Sequence, residues 1–148
     1  MTRWQGMKFV AVIAFLSTSV ATRAEVIHAS ITDLPALQKQ GLTVVDVRTP
    51  PEWQQTGVVA GSKLVPLSND AGFLKAMDMA ADPSRPVVLI CRSGNRSGVA
   101  ARMLEARYPG RKIYNIREGM NGWLAARQPV VTPEQSRQAA KACGTAVC

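Results

Sequence analysis

Cys91-Arg92-Ser93-Gly94-Asn95-Arg96-Ser97-Gly98 is the stretch of this chain whose residue types and spacing can do chemistry. It follows Pro86-Val87-Val88-Leu89-Ile90, an apolar, β-branched run that reads as a buried strand. It precedes residues 99–108, which read as a helix. A cysteine therefore stands where a core strand ends, on a short loop entering a helix N-terminus. Such a terminus presents unpaired N–H groups and the positive end of the helix dipole, and loops of this kind hold anions. Small residues let the backbone curl until several N–H groups point at one centre, and the Cys91 sulfur belongs at that centre. A free cysteine has a pKa of about 8.5, and helix N-termini and arginines lower it to about 3.5–7.5. Arg92 and Arg96 add bidentate donors for an anionic substrate, and Ser93 and Ser97 add hydroxyls. The residues describe a nucleophilic thiolate in an anion cradle. The competing reading is an inert buried cysteine. It leaves two arginines, two serines and an asparagine on one loop without a purpose, because an apolar pocket needs none of them.

The elements that must position this loop alternate between strand and helix. Val26 to Ile31 is a short strand candidate, followed by a helix that Thr32 can cap, with Pro35 in its first turn and Gly41 past its end. Residues 42–47 form a buried strand. Asp46 is a polar residue at the carboxyl end of that apolar run, so it must find backbone N–H groups or an arginine. Thr49-Pro50-Pro51 starts a short helix through Gln55, where Arg48 and Glu52 can pair across the bend and Trp53 reads as a core residue. Residues 57–62 are a loop and residues 64–67 a short strand; Ser68 or Asn69 caps a helix to about Ala81, with Phe73, Leu74 and Met77 on its inner face. After the cysteine loop and its helix, Pro109-Gly110 is a stop, Ile113 to Ile116 a strand, and Asn121 to Arg127 a helix carrying Trp123. Thr132-Pro133-Glu134-Gln135 is a capping-box signature for a last helix to about Cys143. This alternation predicts an α/β fold: a parallel sheet of five strands with helices on both faces. Active residues then belong at the carboxyl ends of the strands, where Cys91 and Asp46 to Arg48 fall.

Loop length separates two chemistries. Cysteine-dependent phosphatases have five residues between Cys and Arg, whereas four separate Cys91 from Arg96. The shorter ring resembles the active loop of the rhodaneses, single-domain bacterial sulfurtransferases. Residues 45–53, 57–62, 65–67 and 116–123 resemble that family too, in the same order, so the likeness covers about residues 26–131. The resemblance implies a rhodanese-like fold and a Cys91 persulfide, formed from a small anionic sulfur donor such as thiosulfate and discharged to cyanide or a thiol. Inward N–H groups from residues 92–97 would then stabilise the persulfide, with Arg92, Ser93, Gly94, Asn95, Arg96 and Ser97 binding substrate. It implies a supporting role for Asp46, Arg48 and Glu52 near the rim, and no metal or organic cofactor. The sequence departs from the family at residues 58–62, which replace a His-Ile-Pro-Gly-Ala stretch, and at Glu118-Gly119, which replace Gly-Gly. Glu118 is therefore expected to crowd or charge one wall of the pocket mouth, Gly119 to allow close approach to the loop, and Trp123 to pack beneath it. Two other functions stay open: a non-enzymatic sulfane-sulfur carrier, and a phosphatase or arsenate-reductase-like enzyme using the same thiolate.

Length and charge bound the rest. A chain of 148 residues is one domain by default and buries enough surface to fold without a disulfide scaffold. Net charge is +8. The basic residues are scattered, which argues against a nucleic-acid surface and for a field that attracts small anions. Arg3 and Lys8 precede an apolar run from Phe9 to Val20, with small residues before Glu25. That is the pattern of a secretory signal peptide over residues 1–24, cleaved after Ala24 or, second, after Ala21. As a helix the run is about 18 Å long, short of the roughly 30 Å hydrocarbon core, so no stable membrane anchor is expected after processing. The expected destination is the periplasm, where disulfides persist. Cys143 and Cys148 are then expected to pair, leaving Cys91 free. The domain reading is a leader over 1–24, a rhodanese-like domain over 25–131 and a helical tail over 132–148. His28, the only histidine, reads as an ordinary strand or surface residue.

Overall fold

The structure is a computed structural model of the chain and describes residues 25–143. The expected leader over residues 1–24 and the expected Cys143–Cys148 disulfide lie outside the described residues. Five strands form one parallel sheet: β1 (Glu25–Ala29), β2 (Thr43–Asp46), β3 (Lys63–Leu64), β4 (Val87–Ile90) and β5 (Lys112–Ile116). Their order is β1-β5-β4-β2-β3, so β4 is the central strand. All four of its residues are buried, which is why its sequence shows no alternation.

The period of two in the strands splits the core into two clusters. Val45, Val47, Val87, Leu89 and Ile113 face one side. They pack there on α3 (Asp70–Ala80) through Phe73 and Met77, and on α4 (Asn95–Arg107) through Ala100, Ala101 and Leu104. Val44, Val88, Ile90 and Ile116 face the other side, against Leu34 and Leu37 of α1 (Leu34–Lys39) and Met120 and Trp123 of α5 (Gly119–Ala125). Helices therefore cover both faces, as the alternation predicts. Fully burying each large side chain contributes about 1.5–3 kcal/mol.

Local signals explain the remaining elements. Asn69 caps α3 by accepting the Gly72 N–H at 2.9 Å. Thr49 starts α2 (Pro50–Thr56), where Glu52 Oε2 accepts both the Thr49 N–H at 3.0 Å and its hydroxyl at 2.8 Å. Thr132 and Gln135 form the expected capping box of α6 (Pro133–Cys143), with bonds of 2.9 and 3.2 Å. This last helix docks on the body: Ser136 is fully buried against Ser62 and Val59, and Lys63 Nζ donates to the Ala140 carbonyl at 3.0 Å.

Two local expectations are corrected. Thr32 does not cap α1; Asp33 occupies that position, and Thr32 bonds back to Ser30 instead. The strand expected at residues 64–67 shrinks to Lys63–Leu64, because Pro66 has no N–H to continue a ladder. Val65 and Leu67 still donate to the carbonyls of Asp46 and Val47.

Candidate active site

Cys91 follows the last residue of β4, and α4 begins four residues later at Asn95. The turn between them depends on Gly94, which sits at φ +82, a left-handed conformation that costs other residues energy. A Cβ there would also overlap the Arg117 carbonyl. The loop thus closes tightly around the Cys91 sulfur, with the backbone N–H groups of Ser93, Gly94 and Ser97 near enough to favour its charged form. Burial alone would push the thiol up. The Ser97 hydroxyl and those three N–H groups outweigh burial and hold the thiol below its ordinary value. Cys91 is only 1% exposed, so the sulfur lies under the loop rather than on it.

Ser97 Oγ stands 3.3 Å from Cys91 Sγ, 3.2 Å from the Gly94 carbonyl and 2.6 Å from Asn115 Oδ1. A hydroxyl has one proton, so these three acceptors compete for it. Ionising Cys91 makes the sulfur the stronger acceptor and draws the proton toward it. Ser97→Ala is therefore expected to raise the pH midpoint of thiol alkylation. The pH dependence of iodoacetamide reaction measures this, and an unchanged or lower midpoint would remove Ser97 from thiolate stabilisation.

A second clamp holds the start of the loop. The N–H of Met120 donates to the Cys91 carbonyl at 2.8 Å, and that of Asn121 to the Arg92 carbonyl at 3.0 Å. Gly119 makes this approach possible: it sits at φ +58, and a Cβ would lie 2.5 Å from the Cys91 carbonyl oxygen. The close approach expected of Gly119 is what the structure shows.

The ion pairs differ from expectation. Arg48 and Glu52 do not pair side chain to side chain. Arg48 instead pairs with Asp46 at 2.7 Å, both fully buried, and also donates to Thr56 Oγ1 and the Gly57 carbonyl. A buried guanidinium needs most of its donors met, and two residues along the strand a carboxylate already faced it. Glu52 reaches across to Arg96, with contacts of 2.7 and 2.5 Å to the two guanidinium nitrogens. That fork and the Thr49 bonds hold the Glu52 carboxyl down at about 2. Arg96 is thus engaged by Glu52 rather than turned free toward a ligand. Arg92 is exposed and has no ion-pair partner among the described residues. Ser93 and Asn95 are exposed on the rim.

Glu118 does not charge the pocket mouth either; its carboxylate accepts the Ile31 N–H at 3.0 Å, closing the turn after β1. Trp123 is buried in the core cluster that holds Leu34, Leu37, Ile90 and Met120, and its Nε1 donates to the Pro129 carbonyl at 2.9 Å. Trp53 is buried, as expected.

Sequence reasoning missed the cleft beside the loop. It has a volume of about 690 Å³, and its lining includes His28, Ser93, Gly94, Arg102, Asn115 and Arg117. Asn115 links it to the loop: Oδ1 accepts from Ser97, while Nδ2 donates to the Gly94 carbonyl at 3.2 Å and faces His28 Nδ1 at 3.4 Å. The available signal was an asparagine inside an apolar strand, the same signal that singled out Asp46. Among the described residues no three His, Cys, Asp or Glu side chains cluster as a metal site.

Comparison with known proteins agrees with this geometry. The model of the rhodanese-like domain matches residues 30–126. The thiosulfate sulfurtransferase of Pseudomonas fluorescens is 34% identical over 88 residues, covering 60% of this chain and 75% of that protein. An adenylyltransferase and sulfurtransferase of Drosophila persimilis is 34% identical over 93 residues, which are 61% of this chain. The chain spans only about a fifth of that longer protein, 20% of its length. The crystal structure of a rhodanese-related protein from Thermoplasma volcanium superposes with a TM-score of 0.60 at 28% identity, covering 71% of this chain and 97% of that one.

Proposed function

The chain belongs to the rhodanese-like domain family, and we propose that it is a sulfurtransferase working through a persulfide on Cys91. The observation that carries this reading is a cysteine at the exit of the central strand whose Sγ lies 3.3 Å from Ser97 Oγ, on the loop that enters the N-terminus of α4, with the Ser97 hydroxyl and the backbone N–H groups of that loop lowering its pKa. They favour the thiolate over the thiol, and the same donors suit the anionic persulfide. Cys91 attacks the outer sulfur of a donor such as thiosulfate. The donor's S–S bond breaks, and sulfite leaves with the electron pair. Cyanide or a thiolate then attacks the outer sulfur of the persulfide and restores the Cys91 thiolate. The donor's charged end meets Arg92 and the rim hydroxyl of Ser93. Arg96, held by Glu52, positions the first turn of α4 rather than gripping the donor.

Whole-protein mass spectrometry after thiosulfate treatment tests the reading. A gain of about 32 Da, one sulfur atom, on the Cys91 peptide is the expected result. Thiosulfate turnover without that adduct would overturn the persulfide. The 1% exposure of Cys91 favours one second reading, a carrier that stores sulfur without rapid discharge. That reading requires the adduct with negligible turnover to any small acceptor. We also propose export to the periplasm, supported by the basic, apolar and small-residue order of residues 1–24.

A further inference from the structure

We propose that Asn115 is a positioning residue for Cys91: it holds the Ser97 hydroxyl proton in reserve and yields it to the sulfur each time Sγ becomes a thiolate. This deepens the sulfurtransferase reading and rests on it, and it names a residue outside the cysteine loop that acts on the nucleophile through another side chain. Cys91, Ser97 and Asn115 are all buried. They come from three elements: the exit of β4, the first turn of α4 and β5. Bulk water does not reach them, so their polar atoms must partner one another.

The Asn115 amide is fixed one way round. Its Nδ2 donates to the Gly94 carbonyl at 3.2 Å and lies 3.4 Å from His28 Nδ1. A reversed amide would set two carbonyl oxygens against each other, so Oδ1 faces Ser97. Gly98 lets the amide lie this close to α4, since a Cβ there would be 3.3 Å from Nδ2. The single Ser97 hydroxyl proton meets Oδ1 at 2.6 Å, the Gly94 carbonyl at 3.2 Å and Cys91 Sγ at 3.3 Å. Hydroxyl bonds to oxygen are best near about 2.7 Å, so beside a neutral thiol the proton belongs to Asn115. A thiolate is the stronger acceptor and turns the proton to itself. Oδ1 then has no other donor among the described residues, and a buried acceptor bears that loss in full. Asn115 thus opposes ionisation of Cys91, while Ser97 favours it.

The balance turns over during sulfur transfer. In the persulfide the negative charge lies on the outer sulfur, and Sγ is a neutral, weak acceptor. The Ser97 proton then returns to Asn115. When cyanide or a thiolate attacks the outer sulfur, the S–S bond breaks and its electron pair goes back to Sγ. The hydroxyl turns again and stabilises the departing thiolate. No proton changes owner; the hydroxyl only rotates about its C–O bond.

The test follows the Asn115 Cγ resonance of the carbon-13-labelled full chain against pH, beside the pH midpoint of iodoacetamide alkylation. Loss of the Ser97 donor is expected to move Cγ with the alkylation midpoint, and that movement is expected to vanish in Ser97→Ala. Asn115→Leu leaves Ser97 only its longer contacts, so the alkylation midpoint is expected to fall by about 0.4 pH unit or more. Added to Ser97→Ala, the same change is expected to move the midpoint less than half as far. Packing loss alone has the opposite sign: a looser loop withdraws the N–H groups that favour the thiolate, with or without the hydroxyl. The charged groups around the cluster are His28 of β1, Arg92 on the loop, Arg96 and Arg102 of α4, and Arg117 after β5, with Asp46 and Glu52 beyond Arg96. Arginines hold their charge throughout such a titration, so His28→Gln is the control, in which Cγ must still follow Cys91. The Cγ readings need no change at Asn115 and decide the matter if Asn115→Leu does not fold. A Cγ that stays still as Cys91 ionises or follows His28 instead, a smaller fall or a rise in Asn115→Leu, or half the shift or more surviving in Ser97→Ala would overturn the proposal. None of these readings uses a sulfur donor, so the proposal and the sulfurtransferase reading fail separately.

Discussion

Cys91→Ser is expected to lower thiosulfate-to-cyanide turnover by at least about a thousandfold, the scale on which loss of a covalent nucleophile acts. A hydroxyl in the same cradle stays protonated near neutral pH and does not attack a sulfane sulfur. The substitution is nearly isosteric at a site that is 1% exposed, and the N–H groups of Ser93, Gly94 and Ser97 remain to satisfy the new oxygen. Stability should therefore change by about 1 kcal/mol or less. Steady-state kinetics beside a thermal melt separates chemistry from folding. A variant that keeps a tenth of wild-type turnover would remove Cys91 from the reaction. The same protein offers a check on the rival chemistry: wild-type hydrolysis of p-nitrophenyl phosphate without thiosulfate turnover would favour a phosphatase.

The largest expected effect on stability comes from Asp46→Ala. Asp46 and Arg48 are 0% and 1% exposed, and Arg48 Nε and Nη2 both contact the carboxylate within 3.0 Å. Removing one partner strands a buried guanidinium, which costs about 3–5 kcal/mol. For a domain of this size that lowers Tm by about 10–20 °C. Urea denaturation measures it directly. The Asp46→Leu/Arg48→Met double variant should recover part of the loss, because it leaves no unpaired charge. It should not recover all of it, since Arg48 also holds Thr56 and the Gly57 carbonyl at the end of α2. A single variant within 1 kcal/mol of wild type would show that the pair contributes little. Activity should fall along with stability, because α2 carries Glu52, and Glu52 holds Arg96 in the first turn of α4.

The sheet and its two helical layers were legible in the sequence because each strand is a short apolar run and each helix has a capping or stop residue. Val87 to Ile90 could be read without ambiguity, bounded by Pro86 and followed by a polar loop. The position of Cys91 at a strand exit followed from the same pattern. Asp46 meets a backbone N–H and an arginine, as its place in an apolar strand predicts, but the other charged pairings were not legible. Arg48 lies four residues from Glu52 in the chain, yet the strand directs it to Asp46, while Glu52 meets Arg96 from 44 residues away. Such pairings depend on how α2 and α4 come to face each other, which no local spacing encodes. Glu118 failed as an expectation for the same reason: the Ile31 N–H that captures it is 87 residues distant. The cleft was hidden because its wall is assembled from β1, α4, β5 and the following turn, which bring His28, Arg102 and Arg117 together from distant parts of the chain.

The docking of α6 has a consequence for how this sheet meets other chains. β3 is the terminal strand and only two residues long, with α6 fastened alongside it by Lys63 to the Ala140 carbonyl and by Ser136 to Ser62. An open margin of this kind is a template on which a foreign peptide can polymerise by backbone pairing. Here that margin is shielded from within the molecule, and a strand arriving on the β3 side must first displace a helix.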